Sequence, residues 1–158
     1  MSGLNLSDTP LAELLALRSA INAEITKRGH IRTAASLEGE LMERVVADAY
    51  GGQLSPPTNK SVDVVLQDGS GIQVKVRSLP RGVTRFWSFG DFDFDSAVVI
   101  SMDRDTSGII FARELTRAEM QEHSMLAASG DYRLRMGTAR GLGLDVTARL
   151  HAAYERLR

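Results

Sequence analysis

The sequence predicts an α/β fold, a mixed β-sheet flanked by helices, from three observations. Two N-terminal segments repeat leucine, isoleucine and valine at helical spacing, two alternating segments at 62–77 are joined by a glycine-rich turn, and an apolar β-branched run fills 96–102. With 158 residues, 43% of them hydrophobic and 25% charged, the chain has the size and composition of one compact domain, so a single domain over 1–158 is expected.

Taken in order, Thr9 and Pro10 supply a cap and an N1 proline, and Leu11, Leu14, Leu15, Leu17, Ile21 and Ile25 mark a helix over 10–28 that Gly29 ends. Ser36 caps a second helix over 37–50, with Leu37, Leu41, Val45 and Ala49 in one stripe and Gly51-Gly52 as its stop. Pro56-Pro57 makes 53–61 a loop. A hairpin follows, with strands over 62–66 and 72–77, and then an irregular stretch over 78–95. Residues 96–102 predict a buried strand, 109–112 a shorter one, and Thr116 with Glu119 a capping box opening a helix over 117–128. The tail predicts a weak strand over 132–136 and a helix from Asp145, its cap, to about 157.

Composition excludes several chemistries. Cysteine is absent, which removes disulfides, thiolate nucleophiles and cysteine-ligated zinc, and His30, His123 and His151 are far apart in sequence, so any metal is expected on oxygen ligands. No run approaches the roughly 18 to 20 apolar residues of a membrane span, and no basic-then-apolar leader is evident; a cytoplasmic protein without a membrane partner is expected. A net charge of −1 means that affinity for phosphates must come from a local patch. Lys27, Lys60 and Lys75 are the only lysines among 19 basic residues, and the last two flank the predicted hairpin.

Alternation across the hairpin depends on its loop. A two-residue Asp68-Gly69 turn would pair odd with even positions and bury Asp63, whereas a three-residue loop keeps odd opposite odd. Burying an unpaired carboxylate is costly, so the three-residue loop is predicted. Val62, Val64 and Leu66 then share an apolar face with Ile72, Val74 and Val76, and the other face carries Asp63, Gln73, Lys75 and Arg77. Those are the parts of a metal-assisted phosphodiester hydrolase. Asp63, the amide oxygen of Gln73 and the carbonyl of Val74 suit Mg²⁺ or Mn²⁺, a second acid from the preceding helix, Glu43 or Glu40, would complete the shell, and Lys75 would orient the nucleophile and stabilise developing charge. Alternation alone would also produce such residues as the solvated face of any antiparallel hairpin.

The order of a helix with acids, an Asp-bearing strand, a tight turn, a Gln-x-Lys strand and a buried strand resembles the PD-(D/E)xK nuclease superfamily, over about 36–112. Its shared core is a helix, a three-strand sheet, a helix and a further strand, so the resemblance implies a restriction-endonuclease-like core with 10–28 as an N-terminal helix and 117–158 as a C-terminal helical extension. Gln73 departs from the usual acid, but Gln73-Val-Lys75 is similar to the Mrr-like branch of restriction endonucleases. The layout of Glu43, Gly51-Gly52, Asp63 and Gln73-Val-Lys75-Val-Arg77 also resembles an uncharacterised bacterial and phage domain family of that fold, and that register makes Glu43 the helix acid. The resemblance implies a metal-dependent DNA endonuclease in restriction, phage DNA processing or defence.

Arg77, Arg81 and Arg85 next to Phe86 and Trp87, with Lys60 before the hairpin, are the candidate nucleic-acid contacts, through phosphates and a stacked base. Phe86, Trp87 and Phe89 also suit core filling under a long loop. Arg133, Arg135 and Arg140 form a second basic stretch, His123 reads as a helix-surface residue, and Asp91, Asp93 and Asp95 alternate with inward-facing Phe92 and Phe94 at a strand entry. Two other functions fit the same residues: a catalytically inactive nuclease-fold module that binds nucleic acid, and a protein-interaction or assembly component. A domain of this length leaves little room for a separate specificity module, which predicts a structure-selective or weakly specific enzyme, or a subunit that forms a homodimer to engage both strands.

Overall fold

A computed structural model describes residues 3–31 and 37–157. Its elements are α1 (Leu11–Lys27), α2 (Leu37–Tyr50), β1 (Gln53–Leu54), β2 (Val64–Val65), β3 (Gly71–Leu79), β4 (Phe86–Phe89), β5 (Ser96–Asp103), β6 (Ile109–Thr116), α3 (Arg117–His123), β7 (Met125–Leu126), β8 (Tyr132–Arg135), α4 (Met136–Ala139), β9 (Leu144–Asp145) and α5 (Thr147–Arg156). The fold is α/β. A six-stranded mixed sheet runs β1-β2-β3-β5-β6-β9, with β3 and β5 parallel and the other neighbours antiparallel, and β4-β8-β7 forms a separate three-stranded sheet. Among the described residues, no helix is long and apolar enough to cross a membrane.

Strand alternation gives the large sheet two apolar faces, and each is covered differently. The even residues Ile72 and Val74 of β3 and Val98, Ile100 and Met102 of β5 pack with Met42, Val45 and Val46 of α2 and with Leu150 and Ala153 of α5. The odd residues Leu79, Ala97 and Val99 pack with Trp87 and Phe89 of β4, Leu134 of β8, Met120 of α3 and Met136 of α4. β5 is therefore buried along nearly its whole length, as its unbroken β-branched run predicts.

Several elements depart from the sequence expectation for physical reasons. The loop at 53–61 begins with a short strand, because Gln53 and Leu54 pair with Val65 and Val64 before Pro56-Pro57 can interrupt the ladder. The stretch 78–95 contains β4, whose partner is the distant β8, so no local turn signals it. It stands where the nuclease core would have its second helix. The capping box at Thr116 and Glu119 forms in both directions, but α3 stops at His123 because Ser124 turns to extended backbone and leads into β7. Pro10 rather than Thr9 is the cap residue of α1, with no side-chain capping bond. Val146 occupies the cap of α5, yet the Asp145 carboxylate still accepts from the Thr147 N–H and hydroxyl, one residue early. The predicted cap Ser36 lies outside the described residues. α1 forms over nearly the expected span, with Leu15, Leu17 and Ile21 exposed.

The hairpin has the predicted loop. Val64 faces Ile72 and Val65 faces Gly71, so even meets even and odd meets odd. Leu66 N donates to Ser70 O and Gly69 N to Leu66 O, leaving Gln67, Asp68 and Gly69 as the loop, with Gly69 at φ 85°. An alanine at that angle brings its Cβ against the backbone, at a cost of roughly 1–2 kcal/mol. Gly69→Ala should therefore lower unfolding stability by about that amount in a denaturant titration, and Gly69→Asn by less.

Asp68 fastens the same loop by accepting from the Ser70 hydroxyl and the Ser70 N–H. Those bonds, the hydroxyl first, hold its carboxyl below the ordinary carboxylate value. The stabilisation is complete above about pH 4 and is lost as pH falls through the lowered value. Stability measured against pH should show a shallower acid limb in Asp68→Asn.

Candidate functional site

The site begins where the β2–β3 ladder stops being regular. Beyond the Val64–Ile72 pair, Asp63 N donates to Ile72 O, and Val74 N donates to Asp63 Oδ2 at 2.7 Å. The carboxylate thus occupies the position at which a main-chain carbonyl of β2 would have met Val74. Ser55 N donates to Asp63 O, so the backbone of Asp63 is held by β1 as well.

That irregularity turns Val62 away from the face predicted for it. Val62 packs with the odd-face cluster and lies over Gly71, where a Cβ would come within 2.7 Å of Val62 Cγ2. The preceding residues follow it across the odd face. Ser61 donates to Asp91 Oδ2 at 2.8 Å, and the carbonyl of Lys60 accepts from Gln73 Nε2 at 3.2 Å. Val65, Gly69 and the rest of the loop stay outside this crossing.

Gln73 is 4% exposed, and its Oε1 has no hydrogen-bond partner among the described residues. A buried amide oxygen without a partner costs about 1–3 kcal/mol, so its retention needs a reason. The N–H and C=O of a strand residue point to the same side, so the Val74 carbonyl faces the β2 side, as its N–H does toward Asp63. Asp63, Gln73 Oε1 and the Val74 carbonyl are hard oxygens of the kind that could hold a small divalent cation. No cluster of three His, Asp or Glu side chains occurs among the described residues, so such an ion would depend on these amide and carbonyl oxygens.

Lys75 is half-buried two residues on, on the same face of β3. Its Nζ stands 5.7 Å from the Phe89 ring centroid, with no hydrogen-bond or carboxylate partner among the described residues. Glu40 and Glu43 are half-buried on α2, which packs on β1, β2 and β3. Down the helix axis both project from the flank away from α5, which Glu38 and Ala49 approach through Tyr154 and Arg149. Glu43 lies between buried Val46 and Ala47 and is the acid nearer the sheet, whereas Glu40 lies beyond Ala47.

The nucleic-acid candidates separate. Arg77 donates from Nε to Phe86 O at 3.0 Å, with its guanidinium 5.6 Å from the Phe86 ring, and Arg133 approaches the same ring at 4.4 Å. Exposed Arg85 and Arg135 flank that group, Phe86 being paired with Arg135 across the small sheet. Lys60 is exposed beside Gln73 through its main chain. Arg81 lies elsewhere, at the far end of β3 and β5, with Nε 3.3 Å from Asp103 Oδ2.

Trp87 is a correction. It is 2% exposed, donates from Nε1 to Ile100 O, and packs edge-on against Phe111, so it cannot offer a face to a base. Alternation in β4 explains this: Trp87 and Phe89 point into the core, which leaves Phe86 and Ser88 outward. Of the two aromatics that the sequence offered for stacking, Phe86, between two guanidinium groups, is the one that faces outward. The choice between it and Trp87 depends on 86–89 being a strand. His123 is half-buried at the end of α3, and Asp91 and Asp95 serve the backbone turn and the start of β3, with Asp95 accepting from Gly71 N.

A scan against protein-family models gives no match, and a search of curated proteins gives no significant match, so the functional reading rests on the geometry itself.

Trp87→Ala should cost about 3–5 kcal/mol of stability, as for removal of a fully buried large aromatic. Phe86→Ala should leave thermal stability within about 1 kcal/mol of the parent.

Proposed function

We propose that this chain is a Mg²⁺- or Mn²⁺-dependent nuclease of the PD-(D/E)xK type, in its Gln-x-Lys form, that hydrolyses phosphodiester bonds in DNA. The observation that carries the reading is the buried, unpartnered Oε1 of Gln73, on the residue next to Val74, whose N–H holds the Asp63 carboxylate. A hard cation supplies the missing partner for that oxygen and gives the burial of an amide at this point a purpose. Asp63, Gln73 and the Val74 carbonyl would hold the ion, with Glu43 as the helix acid.

A bound divalent cation supplies Lewis-acid activation of water and of the scissile phosphate. The residues of the chain supply the remainder. The Val74 N–H fixes the rotamer of Asp63, so its carboxylate is preorganised rather than recruited on binding. The lack of a carboxylate partner leaves the Lys75 ammonium available to a phosphate oxygen, where it would stabilise negative charge that grows during displacement. The hydrogen bond from Gln73 Nε2 to Lys60 O fixes the amide so that Oε1 is the end left for another partner. Arg77, Arg85, Arg133 and Arg135 around Phe86 would grip the backbone and stack a base on the same face of the sheet.

A second reading has an observation of its own. The cluster around Phe86 needs no metal, so the chain would work as a nucleic-acid-binding module with the fold but without cleavage, its affinity falling steeply with salt. One assay separates the two. Purified protein is titrated with Mg²⁺ and Mn²⁺ in the presence of linear, supercoiled and branched DNA. Metal-dependent cleavage that drops on the order of 100-fold or more in both Asp63→Ala and Lys75→Ala is expected. Retention of DNA without cleavage in either metal, unaffected by Asp63→Ala, would replace the nuclease reading with the binding module.

A further inference from the structure

A second concave site lies at the opposite end of the parallel β3–β5 pair. Six strand steps separate Gln73 from Leu79, on the order of 20 Å, so this cleft is distinct from the Asp63 centre. It measures about 430 Å³, within the range of small-molecule sites. Ligands of open α/β sheets commonly bind beyond the carboxyl ends of parallel strands, and this cleft opens there, among Arg81, Ser101, Asp103, Phe111, Met136 and Arg140.

Its composition is uneven in an informative way. Arg140 lies over the Phe111 ring at 4.4 Å and has no carboxylate partner among the described residues. Arg81 is 81% exposed at its side chain and uses Nε for Asp103, which leaves its terminal N–H groups for other acceptors. Asp103 is buried and anchored, accepting from Asp105 N as well as from Arg81. Two guanidinium groups against one carboxylate give the cleft a net charge of about +1, suited to one phosphate monoanion or diester. The volume exceeds what a phosphate fills. The rest of the wall is largely apolar, with Ile109, Ile110, Phe111 and Met136, and Arg140 lies over the Phe111 ring, which favours a flat, partly apolar body, while Ser101 and Asp103 offer hydrogen bonds to its polar edge.

We propose that this cleft is a nucleotide site, with the phosphate between Arg81 and Arg140 and the base against the Arg140–Phe111 stack. The site needs no divalent cation and does not depend on the nuclease reading. The occupant is a free mononucleotide or the terminal nucleotide of a strand, which share this chemistry.

The experiment uses the full chain, and Trp87 is its reporter. It is the single tryptophan, and it packs against Phe111. Its emission is followed, with calorimetry in parallel, during titration without metal by adenosine monophosphate, thymidine monophosphate, adenosine and inorganic phosphate. A saturable change with the mononucleotides is expected, at least tenfold tighter than with the nucleoside or phosphate alone. Arg81→Gln and Arg140→Gln should each weaken it about tenfold, the loss of one charge-assisted contact. Arg140→Lys keeps the charge but loses the flat stack, and should recover phosphate affinity without nucleotide preference. Near-ultraviolet circular dichroism checks that each variant keeps its packing. Asp63→Ala should bind like the parent, so failure of one site is told apart from failure of the other. An oligonucleotide with a terminal phosphate that competes better than the same oligonucleotide without one identifies a strand end as the occupant; equal, weak competition identifies the free nucleotide. No saturable binding up to about 10 mM, or binding that survives Arg81→Gln and Arg140→Gln together, would overturn the proposal. Inorganic phosphate binding as tightly as the mononucleotides would also overturn it, leaving an anion site alone.

Discussion

The 2.7 Å bond from the Val74 N–H to the Asp63 carboxylate is the constraint around which the candidate site is arranged. An antiparallel ladder would ordinarily continue through a carbonyl of β2 at this rung. Substituting a side chain for that carbonyl lets the backbone before Asp63 leave the ladder, so that Lys60, Ser61 and Val62 cross to the odd face of the sheet. Three consequences depend on this departure. Val62 joins the aromatic cluster, the Lys60 carbonyl reaches the Gln73 amide, and the β2 side of Val74 is left without a main-chain partner from β2. A glycine at position 71 is a precondition, because a Cβ there would collide with the side chain that crosses it.

The two faces of the sheet divide the work. Helices α2 and α5 cover the even face with an apolar layer that fixes the strands, with Glu40 and Glu43 on one flank of α2 and the Tyr50 hydroxyl donating to the Glu114 carboxylate of β6. The odd face is only partly covered. Its middle is filled by Trp87, Phe89 and Phe94, while Lys75 and Arg77 emerge beside that filling, each against an aromatic ring. A half-buried cation on a ring is held in place without being neutralised.

Much of this was legible in the sequence because it follows from local periodicity. Gly69 and the cost of burying Asp63 decided the hairpin parity, and parity placed Asp63, Gln73, Lys75 and Arg77 together. The β-branched run at 96–102 announced a strand buried on both faces, and Thr116 with Glu119 announced the start of α3. What stayed hidden depends on contacts between distant segments. The outward turn of Val62 follows from a side-chain rung, which no alternation pattern encodes. β4 exists because β8 pairs with it, so its inward Trp87 and outward Phe86 could not be told apart while 78–95 read as a loop. The short run of β7 after His123 likewise ended the helix expected over 117–128 at His123.

The pairing of β4 with β8 has a kinetic meaning as well. The β2–β3 hairpin is local and can form early, but its odd face is completed only when the chain has been made through Arg135, since Phe86 pairs with that residue and Trp87 with Leu134. Non-local strand pairing is slow because a long loop must close before any contact rewards it. During synthesis the hairpin bearing Asp63 and Gln73 therefore precedes its aromatic cover and its flanking arginines. On the proposed function, a nascent chain would carry the candidate metal ligands before the arginine-flanked Phe86 surface, and competence would arrive in one late step, with the closing of the small sheet.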